Sequence, residues 1–300
     1  MKRLISYPVI FLSILLGFIF PQGKALKATI PYVLAFILFI GFIKEEFKIT
    51  DLKRKEIFAY GIISLMFMPF FSFFAFKNFF DFDFRIGLFL IAITPTGFAM
   101  TGLVDLIKNG DKKLVISNLF IFTFMAAFTI PLLTYLFFSA KIEFDVSSLI
   151  LKLCYLIFIP WFISKIIHKY IKPVFLKGIQ KYSYIISLTL LFILIYVAVA
   201  SASKSIELNY TMSILFAAIL VQYFIQALLG YLAGIVFFKH SVNSLTAISA
   251  SKNTQFALIV ALINFGHKAT IPCVIAIIGN HITFSILLFL FYLRDRRKNI

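Results

Sequence analysis

Long apolar runs alternate with short polar connections along the whole chain. Each of ten such runs has about the 17–25 residues that a helix needs to cross a bilayer. Backbone groups in lipid must find their hydrogen bonds within the segment itself, so the runs predict helices and not strands. The predicted spans are Leu4–Phe20, Leu26–Ile43, Ile57–Phe76, Ile86–Ile107, Leu114–Phe138, Ser147–Ile167, Tyr182–Ala202, Met212–Phe238, Val242–Asn264 and Ala269–Leu293. The pattern therefore predicts an all-α membrane protein with ten transmembrane helices.

Composition and charge agree with this prediction. Hydrophobic residues make up 62% of the chain, against about 45–50% in soluble domains. The net charge is +17, but the basic residues lie at the ends of apolar runs and form no basic domain, which argues against nucleic acid as a partner. The N-terminus, the even-numbered connections and the C-terminus carry about 20 Lys and Arg, and the other connections about 7. By the positive-inside rule, both termini are expected to be cytoplasmic in the inner cell membrane.

Two predicted spans carry polar residues at their centres. The sequence Thr94–Gly97 interrupts the fourth span with a proline, which removes a backbone donor and clashes with the preceding turn. The ninth span carries Ser251–Asn253 without a helix breaker, so its unwinding is inferred from polarity and from its correspondence to the fourth. A lysine at the bilayer centre costs roughly 2.5–3.5 kcal/mol, so Lys252 is expected to face a cavity lined by protein.

The spans divide into two groups of five, residues 1–140 and 141–300, which form one membrane domain. An odd number of spans per group inverts the second group relative to the first, as in transporters built from inverted repeats with broken helices at the midplane. Two half-helix N-termini would then direct their positive dipole ends into one cavity. With the charge of Lys252, this cavity would favour an anion such as a carboxylate.

The polar positions of the two broken spans and of the last span form the candidate site. Asn280 and His281 are included because two adjacent polar groups in a membrane helix indicate a polar cavity nearby. The candidate substrate-binding residues are Thr94, Pro95, Thr96, Gly97, Thr101, Ser251, Lys252, Asn253, Gln255, Asn280 and His281. The proton-coupling candidates are Lys252 and Asp105, which is deeper in its span than Asp111. No P-loop, HExxH or metal-spaced cluster is present, so no cofactor or metal is predicted.

The chain resembles the bile acid:sodium symporter family over nearly its whole length, and the two broken spans carry the most specific part of the resemblance. Thr94–Leu114 (TPTGFAMTGLVDLIKNGDKKL) resembles the proline-glycine crossover of that family, and Ser251–Gly266 (SKNTQFALIVALINFG) resembles its second crossover. Pro131–Thr134 fits the helix after the first crossover. The resemblance implies that the fourth and ninth helices are unwound and cross, and that organic anions bind beside the crossing with help from the last helix.

The chain departs from the family at the positions that the resemblance assigns to sodium. Members that use sodium have Ser-Asn after the first break, where this chain has Met100-Thr101, and an acidic residue in the second crossover, where it has Ser249–Ser251 and then Lys252. A lysine can replace a bound cation electrostatically. Burial also disfavours its charged form, which would allow proton cycling. The related arsenite permeases need a cysteine in the fourth helix, and Ile86–Ile107 contains none, which argues against arsenite as the substrate. Auxin-efflux-type carriers share the architecture, and this alternative stays open.

The sequence therefore predicts a secondary transporter of a small organic anion that works by alternating access, one five-helix half providing a core that moves against a panel. Coupling is expected to be independent of sodium, with protons as the alternative coupling ion. Two further interpretations stay open. One is a sodium-coupled organic anion symporter, and the other is a non-transporting sensor or assembly protein with a transporter fold.

Overall fold

The structure is a computed structural model that describes residues 6–45, 54–140, 145–171, 173–203 and 210–297. Within these ranges the chain forms helices and short connections, and no strand occurs. The predicted start of the first span at Leu4 lies outside the described residues. The helices are α1 (Ser6–Ile19), α2 (Ile30–Lys44), α3 (Lys55–Gly61), α4 (Met68–Ala75), α5 (Phe82–Ile93), α6 (Met100–Leu103), α7 (Lys112–Phe138), α8 (Val146–Tyr170), α9 (Pro173–Ala202), α10 (Tyr210–Phe237), α11 (Val242–Ala250), α12 (Thr254–Asn264) and α13 (Gly266–Arg297).

Seven helical stretches of the described chain are long and apolar enough to cross a membrane. They are Pro21–Lys44, Lys55–Ala75, Lys112–Phe138, Val146–Tyr170, Lys181–Ala202, Tyr210–Phe237 and Gly266–Arg294. Large apolar side chains cover much of the outside, for example Phe11, Phe58 and Phe224, which are 68%, 74% and 61% exposed. An apolar exterior around long helices is what lipid requires, so the chain is a multi-pass membrane protein.

The fourth and ninth predicted spans are each broken into two helices. Helix α5 ends at Ile93, and α6 begins only at Met100, followed by a short 3-10 turn over Val104–Leu106. Helix α11 ends at Ala250, and α12 begins at Thr254. We call Thr94–Ala99 the first break and Ser251–Asn253 the second break.

Local chemistry explains where α12 starts and why the chain forms a wider helical turn between α3 and α4. The side chain of Asn253 accepts a hydrogen bond of 3.1 Å from the N–H of Phe256 and thereby caps α12. Between α3 and α4 the chain forms a π-helical segment over Ile62–Phe67. Pro69 is the second residue of α4, and its ring would clash with the carbonyl of Leu65 in a regular helix. The wider turn avoids that clash.

The helices form two packing groups. Helices α1, α2, α8 and α9 pack mainly against one another, and α3–α7 pack with α10–α13. The groups meet where α7 contacts α8, where α13 contacts α9 and where α12 contacts α2. Each group contains helices from both halves of the chain, so the packing groups do not coincide with the two five-helix halves, and the prediction that one half provides a moving core stays a prediction. Both breaks lie in the larger group.

Candidate functional site

The two breaks are in direct contact. The backbone N–H of Asn253 donates a hydrogen bond of 2.7 Å to the carbonyl oxygen of Pro95. Gly97 lies against the second break so closely that a Cβ atom there would be 3.4 Å from the carbonyl oxygen of Lys252. Thr94, Thr96, Lys252 and Asn253 are all buried. The structure therefore brings together two interrupted segments that are about 150 residues apart in the sequence.

In the first break, the hydrogen bond that proline removes is replaced locally. An α-helix would pair the carbonyl of Ile91 with the N–H of residue 95, and Pro95 has none. The hydroxyl of Thr94 donates to the Ile91 carbonyl oxygen instead, at 3.1 Å. The end of α5 is thus completed by the residue just before the proline.

In the second break, the lost helical bonds are replaced by distant partners. A regular helix would pair the N–H of Lys252 with the carbonyl of Ile248. Here the Ile248 carbonyl accepts the hydroxyl of Thr96 at 3.0 Å, and the Lys252 N–H donates to Asn280 Oδ1 at 3.4 Å. Asn280 Nδ2 also donates to the Lys252 carbonyl at 3.2 Å. Because buried backbone groups must be paired, these contacts hold the break open.

The Lys252 ammonium is enclosed by protein. The residue is 2% exposed, and Nζ donates a hydrogen bond of 2.7 Å to Ser64 Oγ. Nζ also lies over the ring of Tyr60, 5.4 Å from its centre. Among the ion pairs of the described residues, none involves Lys252. Burying an unpaired charge is costly, and that cost falls when the group loses its proton or pairs with an anion.

A buried polar cluster continues from Lys252 to the first break. The hydroxyl of Thr96 lies 3.2 Å from that of Tyr60 and 3.1 Å from Asn118 Oδ1 on α7. Tyr60, Ser64 and Asn118 were not among the predicted site residues. The four-residue spacing of Tyr60 and Ser64 in an apolar span indicates a shared polar face of the helix, but it does not indicate what that face contacts.

The other predicted substrate-binding residues are described by their burial and by hydrogen bonds within their own segments. Thr101 donates to the carbonyl of Phe98 at 3.0 Å. Ser251 is buried within the second break, and Gln255 is half-buried in the first turn of α12. His281 is half-buried, with Nδ1 2.8 Å from the carbonyl oxygen of Ile277 in its own helix.

Asp105, the second proton-coupling candidate, does not join the breaks. Its side chain is 55% exposed and lies 3.8 Å from Lys112 Nζ, so it is shallower than expected. Asp111 is more enclosed and pairs with Arg54 at 2.6 Å. Partial burial alone would raise the pKa of Asp111, but the hydrogen bonds from Arg54 and from the N–H of Leu114 outweigh it, and the pKa lies below its ordinary value.

A large cavity lies beside the breaks and not between them. Its volume is about 790 Å³, and it is bounded by α2 and α8 of the smaller packing group and by α12 of the larger group. The lining is largely apolar, for example Phe36 and Ile259, with Lys152 and Asn264 as polar exceptions. No residue of either break lines it. The enclosed ammonium and the open cavity are therefore separate in this conformation.

Broken helices that meet inside a multi-pass helical bundle are typical of many secondary transporters. A model of the Sodium Bile acid symporter family matches residues 31–209, more than half of the chain. The chain belongs to this family, whose members are transporters, and the predicted resemblance is confirmed. The matched range includes the first break and ends before the second. No curated protein matches the chain.

Proposed function

We propose that the protein carries a small organic anion across the cell membrane by alternating access, without sodium, and that Lys252 takes the place of a bound cation. The observation that carries this proposal is the enclosed Lys252 ammonium at the contact of the two breaks, with Ser64 Oγ as its hydrogen-bond partner. A carboxylate that reaches Nζ would neutralise the charge and supply stronger hydrogen bonds than a hydroxyl does.

The arrangement of the chain in the membrane is part of the same proposal. We place ten spans in the bilayer as two inverted repeats, residues 1–140 and 141–300, with both termini cytoplasmic and the breaks at the midplane. The two packing groups supply the moving bodies: the group with the breaks shifts against α1, α2, α8 and α9.

The 790 Å³ cavity is the proposed substrate route. It opens between the two packing groups, and its apolar walls suit an anion that carries an apolar body. In the proposed orientation its polar rim, including Asn264, lies at the outer side of the membrane. Movement of α12 past α2 would connect this cavity with Lys252.

A second candidate is a sodium-coupled symporter, which the description of the family favours. The charge of Lys252 opposes it, because a cation bound near the ammonium would be repelled. If Lys252 loses its proton during the cycle, protons become the coupling ion and Lys252 the carrier of that proton. A non-transporting sensor would bind the anion and move none.

The test is uptake of labelled organic acids by the purified protein in liposomes, with and without sodium and at several pH values. We expect uptake without sodium, and a loss of about 100-fold or more in Lys252→Met because the buried ammonium is removed. Lys165→Met, which removes an exposed lysine on α8, is the matched control and should retain uptake. Strict sodium dependence with full activity of Lys252→Met would refute the proposal, and binding without uptake would favour a sensor.

A further inference from the structure

We propose that Lys152 and Asn264 form an outer anion site at the mouth of the 790 Å³ cavity, where the acidic group of an elongated, apolar anion binds before it reaches Lys252. The inference rests on the proposed function and adds to it the place of first binding and the shape of the substrate. Both residues line the cavity, which lies apart from both breaks.

The cavity is polar at one end and apolar along the rest of its length. Helices α2 and α8 pack against each other and their ends meet, since His168 Nε2 near the end of α8 lies 3.0 Å from the carbonyl oxygen of Ile43 near the end of α2. Lys152 lies near the start of α8, and the lining further along the two helices, such as Phe39 and Ile163, is apolar. The lining of α8 runs from residue 149 to 163, which is about 21 Å at the helical rise of 1.5 Å per residue. An occupant with one acidic end and an apolar body fits this shape.

The charge at the mouth is positive and unbalanced. Lys152 is the only charged residue among those that line the cavity, and no ion pair of the described residues includes it. Asn264, the last residue of α12, donates one N–H of its amide to the carbonyl of Val260 and has a second N–H for a ligand. Apolar walls strengthen the attraction between an ammonium and an anion, because they exclude water.

Further basic residues lie on the outer connections that lead to this mouth. Lys24 and Lys27 belong to the 3-10 segment before α2, and Lys268 follows the end of α12. Outer connections usually carry few lysines, because positive charge is retained on the cytoplasmic side. The acidic residue closest to Lys152 in the sequence, Asp145, is engaged at the start of α8, where it accepts a hydrogen bond of 3.1 Å from the N–H of Ser148. Basic charge around the mouth raises the local concentration of anions.

The outer site and Lys252 should act at different steps. An anion held at Lys152 would occupy the cavity while the two breaks stay in contact, because no residue of either break lines the cavity. Movement of α12 would then bring the acidic group to Lys252. Lys152 should therefore determine how tightly the anion binds from outside, whereas Lys252 determines whether the anion is carried.

The first test measures binding and needs no transport. The probe is labelled naphthalene-2-sulfonate, an anion with an apolar body, and its neutral counterpart is naphthalene-2-sulfonamide. With the full-length protein in phosphatidylcholine liposomes, we expect Lys152→Met to raise the Kd of the sulfonate about fivefold and that of the sulfonamide less than about twofold. Lys152→Arg should keep the affinity for the sulfonate. Lys165→Met is the matched control, because Lys165 is an exposed lysine of the same helix that does not line the cavity.

The second test restores the charge chemically. Lys152→Cys is combined with Cys154→Ser, while Cys273, the other cysteine of the chain, is fully buried and stays. Aminoethyl methanethiosulfonate adds an ammonium at residue 152 and should recover the affinity, whereas the sulfonatoethyl reagent adds a negative charge and should weaken binding further. In uptake of labelled organic acids, Lys152→Met should raise KM about fivefold and change kcat less than about twofold.

Several results would overturn the inference while the transport proposal stands. They are a change of less than about twofold for the sulfonate in Lys152→Met, equal losses for the sulfonate and the sulfonamide, and displacement of the bound sulfonate by phosphatidylglycerol in the bilayer. The last result would assign Lys152 to a lipid phosphate. Uptake that depends on sodium and survives Lys252→Met would refute the proposed function without changing these binding results.

Discussion

The two breaks interrupt their helices for different physical reasons. The first break has six residues outside the helices, contains Pro95 and Gly97, and has its free carbonyl capped by its own Thr94. The second break has three residues and no helix breaker. Its backbone groups are paired with Asn280 and with the carbonyl of Pro95, and Thr96 pairs with the carbonyl of Ile248 in the helix before it. One break is determined by local sequence, and the other by tertiary contacts.

This difference has a consequence for movement. The first break cannot form a complete helical hydrogen-bond ladder, because Pro95 has no N–H to offer. The second break can, if its partners withdraw, since each of its residues has the donor and acceptor that a helix uses. The element that carries Lys252 is therefore the one whose conformation depends on its neighbours, which agrees with the proposed alternating access.

The strongest test of the comparison removes the partner of the second break. Asn280→Leu leaves the N–H of Lys252 without a partner, while the Lys252 carbonyl loses one of two hydrogen bonds and keeps that from the Thr254 N–H at 3.0 Å. We expect a loss of roughly 2–4 kcal/mol in the free energy of unfolding, because an unpaired buried N–H costs about 1–3 kcal/mol and a lost hydrogen bond about 1 kcal/mol. Denaturant unfolding of the purified protein in detergent measures it.

Asn264→Leu is the matched control, because Asn264 pairs only with the carbonyl of Val260 in its own helix, at 3.0 Å. Its loss should be below about 1 kcal/mol. Equal losses in the two variants would show that the second break does not depend on Asn280.

The next test separates the two threonines of the first break. Thr96→Val removes the hydroxyl that pairs with the Ile248 carbonyl at the end of α11, so a buried carbonyl loses its partner, and we expect a loss of roughly 1–3 kcal/mol. Thr94→Val also leaves a carbonyl unpaired, that of Ile91, but Thr94 Oγ1 has one partner where Thr96 Oγ1 has three, so its loss should be the smaller, about 1 kcal/mol. Thermal unfolding of both variants gives the comparison. A larger loss for Thr94 would place the stabilisation of the breaks in local contacts.

The same distinction decides what the sequence could predict. Pro95 together with Gly97 indicated the first break, whereas the single prolines Pro131, Pro160 and Pro272 lie within continuous helices. The second break was inferred only from polarity and from the first, because its cause lies in Asn280 and Thr96, which are distant in the sequence. The lengths of the apolar runs predicted helices, since a segment that crosses lipid must satisfy its backbone hydrogen bonds internally.

Side-chain partners were less accessible to prediction than helices. Nothing in the apolar third span marks Ser64 as the partner of Lys252, since the contact needs the π-helical turn and the packing of distant helices. Asp105 was expected to be deep from its position in the run, but the chain leaves regular helix there through a 3-10 turn and exposes it. Depth inferred by counting residues fails where a helix ends early.

The smallest expected effect concerns the ion pair between Arg54 and Asp111, which follows the first broken span. Asp111 caps α7 and lies 2.6 Å from Arg54, and its N–H donates to Ser244 on α11 at 2.7 Å. Because the folded pKa of Asp111 is lowered, the ion pair contributes fully above the ordinary value of about 3.9 and is lost as pH falls through the lowered folded value. The pair is partly exposed, so its contribution should be about 1 kcal/mol or less.

Asp111→Asn should be less stable than the wild type at neutral pH in unfolding experiments, and the difference should shrink as pH falls below about 3.9. A difference that does not change with pH would assign Asp111 the capping role alone.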